Sequence, residues 1–187
     1  MGDGESPSIR IVRDRVVYAN GYGDLHDDDV EFRPAGALGR YVRWRWRAPY
    51  SIAVLALTEP GTALLVRNFR HSARREVLEV VKGFGDDIRS PDDVAHAELR
   101  EELGFTAEKL TFLGTTFADP AFAHHPMRCY LAAGHIHGPG APENSEAIRG
   151  IKRFPLTDTP NALRSGDVQD SVTLLLLWQA FHRARGL

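Results

Sequence analysis

The sequence predicts an α+β domain, a mixed β-sheet with helices packed on it, preceded by an N-terminal β-hairpin region. Three features carry that expectation. SIAVLALT (Ser51 to Thr58) is an unbroken apolar run of buried-strand length. A sharply bounded helix follows the central strands, from Ser90 to Gly104. The chain order then runs through further strands to a closing helix, the alternation expected of helices layered on a sheet. At 187 residues, 43% hydrophobic, the chain can bury a core without disulfide or metal staples. Its boundaries suggest an N-terminal β region over 1–48 and a second domain over 49–187.

Taken in order, Ile9 to Ala19 is β-rich, and NGYGDLHDDD (Asn20 to Asp29) carries turn residues. Asp24, Asp27, Asp28 and Asp29 lack the spacing of a calcium loop and read as a solvated turn. Val30 to Arg33 and Arg40 to Arg47 form a hairpin around Pro34 and Gly36, closed by Ala48-Pro49. RYVRWRWR (Arg40 to Arg47) is basic and aromatic, but its alternation fits a strand with one charged face better than a nucleic-acid surface. Strands follow at Ser51 to Thr58, Ala63 to Phe69 and Glu76 to Val81, with EPGT as a turn between the first two. Ser90 is the N-cap of the central helix, Pro91 sits at its first position, and Asp92 and Asp93 meet the positive end of its dipole. Gly104 ends it. Strands at Leu110 to Thr116 and Arg128 to Ala133 flank a loop of Asp119 to Pro126, and Ile148 to Phe154 is another strand. A short helix over Pro160 to Arg164 and a longer one over Gln169 to Arg183 complete the chain.

Composition excludes several classes of function. The net charge of −2 argues against a generic nucleic-acid binder. MGDGESPSIR lacks the apolar core of a signal peptide, and Val172 to Trp178 is too short to span a bilayer, so no membrane is expected. The single cysteine, Cys129, permits no disulfide within the chain, which fits a reducing cytoplasm; it lies in an apolar strand and reads as a buried structural thiol. His135 and His137 could point the same way on an extended segment, but no further zinc ligand stands in register. KGFGDD faintly resembles a phosphate loop without the Gly-Lys-Ser/Thr that would complete it.

The chemistry concentrates in the central helix. At about 100° per residue, Glu98, Glu101 and Glu102 share one flank beside the apolar stripe of Ala95, Leu99 and Leu103. Like charges at these spacings repel by a few tenths of a kcal/mol, roughly, so a solvated acidic flank is one reading. The other is a site for a hard cation, which accepts a few carboxylates and leaves positions for water and phosphate oxygens.

KGFGDDIRSPDDVAHAELREELGF (Lys82 to Phe105) resembles the Nudix box, G-x5-E-x7-R-E-U-x-E-E-x-G-U, where U is a bulky apolar residue. Gly83, Glu98, Leu99, Glu101, Glu102, Gly104 and Phe105 match it without a gap. Two positions depart: Arg89 stands where the pattern has Glu, and Ala97 where it has Arg. LLVRNFRHSARREVLEVVKG (Leu64 to Gly83), Pro120, LTFLGTTFADPAFAHHPMRCYLA and KRFPL extend the resemblance to the branch of ADP-ribose pyrophosphatases and ADP compounds hydrolases.

The resemblance implies a Nudix fold, its mixed sheet sandwiched by helices. It implies Mg²⁺-dependent hydrolysis, with Mn²⁺ as a substitute, of the pyrophosphate in ADP-ribose or in related ADP-linked compounds such as NADH and diadenosine polyphosphates. A catalytically weak or inactive nucleotide-binding relative is the alternative, because of Arg89 and Ala97. Glu98 and Glu102 would be the main metal ligands, with Glu101 supporting and the Lys82 carbonyl adding a further ligand. The general base would come from PENSE (Pro142 to Glu146), Glu146 ahead of Glu143. Arg70, Glu79 and Pro120 would line the substrate site, Arg70 either clamping a phosphate or pairing with Glu79. The N-terminal β region would pair with a second copy of the chain, and Trp46 or Trp44 would reach the adenine.

Overall fold

A computed structural model describes residues 8–59, 61–138 and 147–186. These form two compact units, one of residues up to 49 together with 119–125, the other of the remainder.

The smaller unit is a sheet of β1 (Ile9–Arg13), β2 (Val16–Ala19), β3 (Gly23–Phe32) and β4 (Ala37–Trp46). β3 is its centre. β4 runs antiparallel along one edge of β3, from Phe32 opposite Ala37 to Gly23 opposite Trp46. β1 and β2 share the other edge, β1 beside Asp29 to Phe32 and β2 beside Asp24 to His26. The 119–125 segment belongs to this unit: the Trp44 N–H donates to the Phe122 carbonyl at 2.9 Å, and the Tyr41 hydroxyl to the Ala121 carbonyl at 3.0 Å.

This sheet corrects the expected turn over Asn20 to Asp29. The turn is confined to Asn20–Tyr22, where the Asn20 side chain accepts from the Tyr22 and Gly23 N–H groups at 2.8 and 3.0 Å. Asp24, Asp27, Asp28 and Asp29 lie inside β3. Aspartate is a poor strand former by itself. Here the register places guanidiniums across from the acids: Arg45 and Arg47 lie 3.0 and 2.9 Å from Asp24, and Arg43 2.6 Å from Asp28. Asp27 pairs with Arg40 and, at 3.7 Å, with Arg15. Cross-strand ion pairs thus override local propensity. The same pairs explain RYVRWRWR as a strand with a charged face.

The larger unit is a mixed sheet of strand order β11–β6–β5–β10–β9. Its strands are β5 (Ser51–Glu59), β6 (Thr62–Arg70), β9 (Phe105–Phe117), β10 (Pro126–Ile136) and β11 (Ile148–Pro155), with β7 (Arg75–Glu79) on β6 and β8 (Val81–Phe84) on β5. β5 and β10 are parallel, and the other pairs are antiparallel. Helices cover both faces. Ile52, Val54 and Ala56 of β5 pack with Val94, Ala95, Leu99 and Leu103 of α1 (Pro91–Leu103). Ala53 and Leu55 pack with Leu176, Leu177 and Ala180 of α3 (Ser171–Ala184), beside α2 (Thr159–Ser165). A strand buried on both faces has no polar alternation, which is why Ser51 to Thr58 reads as a continuous apolar run.

α1 has the expected caps. The Asp93 N–H donates to Ser90 Oγ at 3.1 Å, and Gly104, at φ 60°, returns its N–H to the Arg100 carbonyl at 2.9 Å. Several expected boundaries move, among them β4 (from Arg40 back to Ala37) and β10 (widened to Pro126–Ile136), and three shifts have a visible cause. The strand over Glu76 to Val81 is two, because the chain changes partner from β6 to β5 at Val80, whose N–H donates to Thr173 Oγ1 at 3.0 Å. β9 begins at Phe105, directly after the glycine cap, rather than at Leu110. The last helix begins at Ser171 because Asp170 caps it, accepting from the Thr173 N–H at 2.8 Å.

Candidate active site

The acidic flank of α1 is part of the interface between helix and sheet. Glu102 is 5% exposed, and Glu98 and Glu101 are half-buried. Burying a carboxylate is costly unless charge or hydrogen bonds compensate. Glu98 lies against β8 at Gly83, where an added Cβ would come 2.0 Å from Glu98 Oε1 and 2.2 Å from its Cδ. Only glycine allows that approach. The structure thus brings the Glu98 side chain against Gly83 of β8.

The loop before α1 is organised by Asp86. Its side chain accepts from the N–H groups of Ile88 and Arg89 at 2.8 and 2.7 Å, and from Arg89 Nε at 2.8 Å. These bonds, led by the Arg89 backbone, pull the Asp86 carboxyl down to about 2. The hydrogen bond to Asp86 in turn raises Arg89 against the effect of burial, and the charges of Asp86, Glu98 and Glu101 raise it further. The Arg89 guanidinium therefore sits in the field of two of the helix carboxylates. Ala97, where the pattern has arginine, is buried. Farther along, the buried Tyr130 hydroxyl donates to Asp92 Oδ1 at 2.9 Å and ties the first turn of α1 to β10.

Arg70 and Glu79 pair directly, with Arg70 Nη2 2.6 Å from Oε1 of a carboxylate only 2% exposed. Lys82 Nζ approaches the other oxygen at 3.2 Å. Trp46 and Pro120 belong to the smaller unit. Trp46 meets Trp44 edge-on at 5.5 Å and His125 at 5.7 Å, while Pro120 is exposed in the 119–125 segment. Glu143 and Glu146 lie outside the described residues.

Two other constellations resolve into ordinary pairings. His135 and His137 are in edge contact at 4.2 Å, and His135 pairs with Glu108 at 2.9 Å. Asp14, His26 and Asp28 of the smaller unit bring ligand atoms within 4.8 Å of one another, the one such cluster among the described residues. Arg43 already supplies their cation, 2.6 Å from Asp28 and 3.1 Å from both Asp14 and His26. Cys129 is buried, which pushes its thiol up and away from nucleophilic use.

Sequence reading missed Asp86, Asp170 and the Asp92–Tyr130 bond. The first two had legible signals, an Asp three residues before Arg89 and an Asp immediately before Ser-Val-Thr. The third joins residues far apart in the chain and had none.

The profile described as NUDIX domain matches residues 47–176. An ADP-ribose pyrophosphatase of Bacillus subtilis is 34% identical over 123 residues, 66% of this chain and 65% of that protein. The match therefore spans just under two thirds of that relative's length. An ADP-ribose pyrophosphatase of Mycobacterium tuberculosis is 28% identical over 175 residues, covering 92% of this chain and 80% of the relative. A crystal structure of an ADP compounds hydrolase superposes with TM-score 0.77 over 98% of each chain at 22% identity, a match of fold.

Proposed function

The chain belongs to the NUDIX domain family, and from that premise we propose that it hydrolyses the pyrophosphate of ADP-ribose or a related ADP-linked compound such as NADH or a diadenosine polyphosphate. The observation that carries this reading is the seating of Glu98 on Gly83, beside the half-buried Glu101 and the buried Glu102. That donor set is all oxygen, carries several negative charges and includes a backbone stripped of side chain at Gly83. It suits Mg²⁺, or Mn²⁺ in its place. Glu98 and Glu102 would hold the ion, with Glu101 and the Lys82 carbonyl in support. When bound, the cation neutralises charge developing on the pyrophosphate oxygens.

The chain's own residues then have separate tasks. Arg70 presents a guanidinium for a phosphate. Arg89 lowers the mutual repulsion of Glu98 and Glu101, standing in from the loop for the arginine that Ala97 replaces. Glu146, or failing it Glu143, takes a proton from the attacking water as the bond from phosphorus to the bridging oxygen breaks. In ADP-ribose the products are AMP and ribose 5-phosphate. A cytoplasmic setting fits the lone buried thiol, and among the described residues no helix is long and apolar enough to cross a membrane.

On one face of the smaller unit's sheet Tyr18, Leu38 and Val42, opposite Leu25, Glu31 and Asp27 of β3, are exposed, apolar positions suited to pairing with a second copy.

Phosphate released by an added phosphomonoesterase from the products of ADP-ribose, NADH and diadenosine compounds, in Mg²⁺, tests the proposal. Turnover of one of them, lost in Glu98→Gln by at least about 100-fold, is the expected result. Nucleotide binding without turnover of any would favour the alternative of a binding protein, to which the buried Ala97 points.

A further inference from the structure

Beneath Arg70 runs a chain of alternating charge that crosses from the sheet to the start of α3. Arg70 Nη2 lies 2.6 Å from Glu79 Oε1. Glu79 Oε2 lies 3.2 Å from Lys82 Nζ, and Lys82 Nζ lies 2.7 Å from Asp170 Oδ1. Asp170 Oδ2 accepts from the Thr173 N–H and hydroxyl at 2.8 and 2.6 Å. Thr173 Oγ1 accepts in turn from the Val80 N–H at 3.0 Å, midway between Glu79 and Lys82.

Solvent meets this chain mainly at the Arg70 end, and Glu79 is its most buried member. The Arg70 side chain is 43% exposed, while Lys82 and Asp170 are 15% and 19% and Glu79 is 2%. The inner members are less accessible than Arg70, and each constrains the next one outward. Glu79 has two oxygens, one held by Lys82 and one facing Arg70, so its carboxylate plane is fixed from behind. Glu79 Oε1 meets Arg70 Nη2 as an ion pair at 2.6 Å without hydrogen-bond geometry, so the fixed carboxylate holds the guanidinium by charge. Asp170 is itself fixed twice, by its capping bonds and by Lys82. The location is also set by strand topology: at Val80 the chain leaves β6 for β5, and the Thr173 hydroxyl satisfies the N–H that neither ladder takes.

We propose that the side chains of Lys82 and Asp170 are positioning residues for Arg70, aiming its guanidinium at a phosphate of the nucleoside diphosphate. This rests on the substrate reading above. On this account pairing with Glu79 and clamping a phosphate are one arrangement, since the pair orients the exposed cation. The competing account is a staple that fastens α3 to the sheet and touches nothing beyond it.

A double-mutant cycle on ligand binding separates the two. The ligand is ADP-ribose with methylene in place of the bridging oxygen, measured by calorimetry in Mg²⁺ with Arg70→Ala, Lys82→Met and the double variant. Arg70→Ala should weaken binding by roughly tenfold. Lys82→Met should weaken it several-fold in the wild-type background and leave it unchanged once Arg70 is gone. Asp170→Asn keeps the cap and the volume, so it reports the same coupling if Lys82→Met fails to fold. Lys82→Arg, which preserves the cation, should recover part of the loss. A lowered melting temperature with unchanged affinity would overturn the proposal in favour of the staple, as would equal losses with and without Arg70. Wild-type protein that does not bind the analogue would sink the substrate reading itself, a result distinct from binding that ignores Lys82.

Discussion

In the N-terminal sheet, Asp24, Asp27 and Asp28 each meet a guanidinium from another strand. In the larger unit, α1 gathers Glu98, Glu101 and Glu102 on one flank and seats the first of them on a bare glycine. Both stretches look alike in composition, acidic residues close together with apolar neighbours. The difference lies in what the fold sets opposite them. A β-sheet aligns residues pairwise, so an acidic strand can be matched residue for residue by a basic one. A helix stacks its i, i+3 and i+4 residues on one side, so like charges add up to a local field. The first arrangement consumes charge in holding the sheet together, and the second leaves three carboxylates gathered along one helix flank.

The comparison breaks most visibly where a charge is removed from the matched set. Asp28→Ala would leave Arg43 beside His26 without the carboxylate now 2.6 Å from its Nε, in a position where Asp28 is 1% exposed. Arg43 is 28% exposed and keeps Asp14, while the Arg15 N–H loses its acceptor, so the loss is about 1–3 kcal/mol. Thermal unfolding of the variant should show that loss. Asp28→Asn paired with Arg43→Gln should recover much of it, because two neutral amides can still bond. If Asp28→Ala melts like the parent, the pairing is not what holds the sheet.

Next in size is Gly83→Ala. The added methyl must displace Glu98, whose Oε1 and Cδ lie 2.0 and 2.2 Å from where it would sit. Displacing a ligand by about 1 Å is enough for a loss near 100-fold in turnover. Mn²⁺ affinity, read by electron paramagnetic resonance, should fall in parallel while the fold persists. Unchanged Mn²⁺ affinity would show that Glu98 is not a ligand.

These two sites also mark what was legible in advance. The helix was readable because its signals are local: Ser90, Pro91 and Gly104 fix its ends, and the spacing of its glutamates fixes their common flank. The acidic strand was misread because its partner arginines on β4 lie far along the chain, and Asp and Gly in a run argue for a turn when taken alone. Lys82 was legible only as backbone. Its ammonium pairs with Asp170 of a distant cap, a contact no spacing rule anticipates. Glu79 and Arg70 were placed as a possible pair, and they pair although the β6–β7 register sets Glu79 opposite Val66 and Arg70 opposite Arg75, so the side chains span the offset.

A smaller effect is expected at Arg89. Its guanidinium shares the field of Glu98 and Glu101 but is anchored by Asp86 and is largely solvated, so the attraction is screened. Arg89→Gln should change Mg²⁺ affinity by only a few-fold, about 1 kcal/mol or less. Asp86→Ala should produce a similar shift by freeing the arginine. If Arg89→Gln instead abolishes turnover while Mg²⁺ affinity is unchanged, the arginine acts on the substrate and its place as a counter-ion is wrong.

The smallest and most diffuse effect is the acid response, and it sharpens the contrast between matched and gathered charge. In the N-terminal sheet the hydrogen bond from His26 lowers Asp14, and that from Arg45 lowers Asp24 against the opposing effect of burial. A carboxyl whose folded value is depressed adds stability above its ordinary value, near 3.9, and loses that contribution as pH falls through the folded value. Both groups therefore stabilise at neutral pH, and protonating them loosens the sheet only below about pH 4. Asp86, held down to about 2, follows the same sign at a lower pH, so the loop before α1 should outlast ordinary carboxylates on acidification. Amide exchange between about pH 5 and 2 would show this as continued protection of the Ile88 and Arg89 N–H groups, which Asp86 holds at 2.8 and 2.7 Å. Asp24→Asn should flatten the acid slope of the melting temperature, since an amide cannot titrate. A slope of opposite sign, with stability rising as the acids protonate, would mean that the strand carboxylates repel one another more than the arginines hold them.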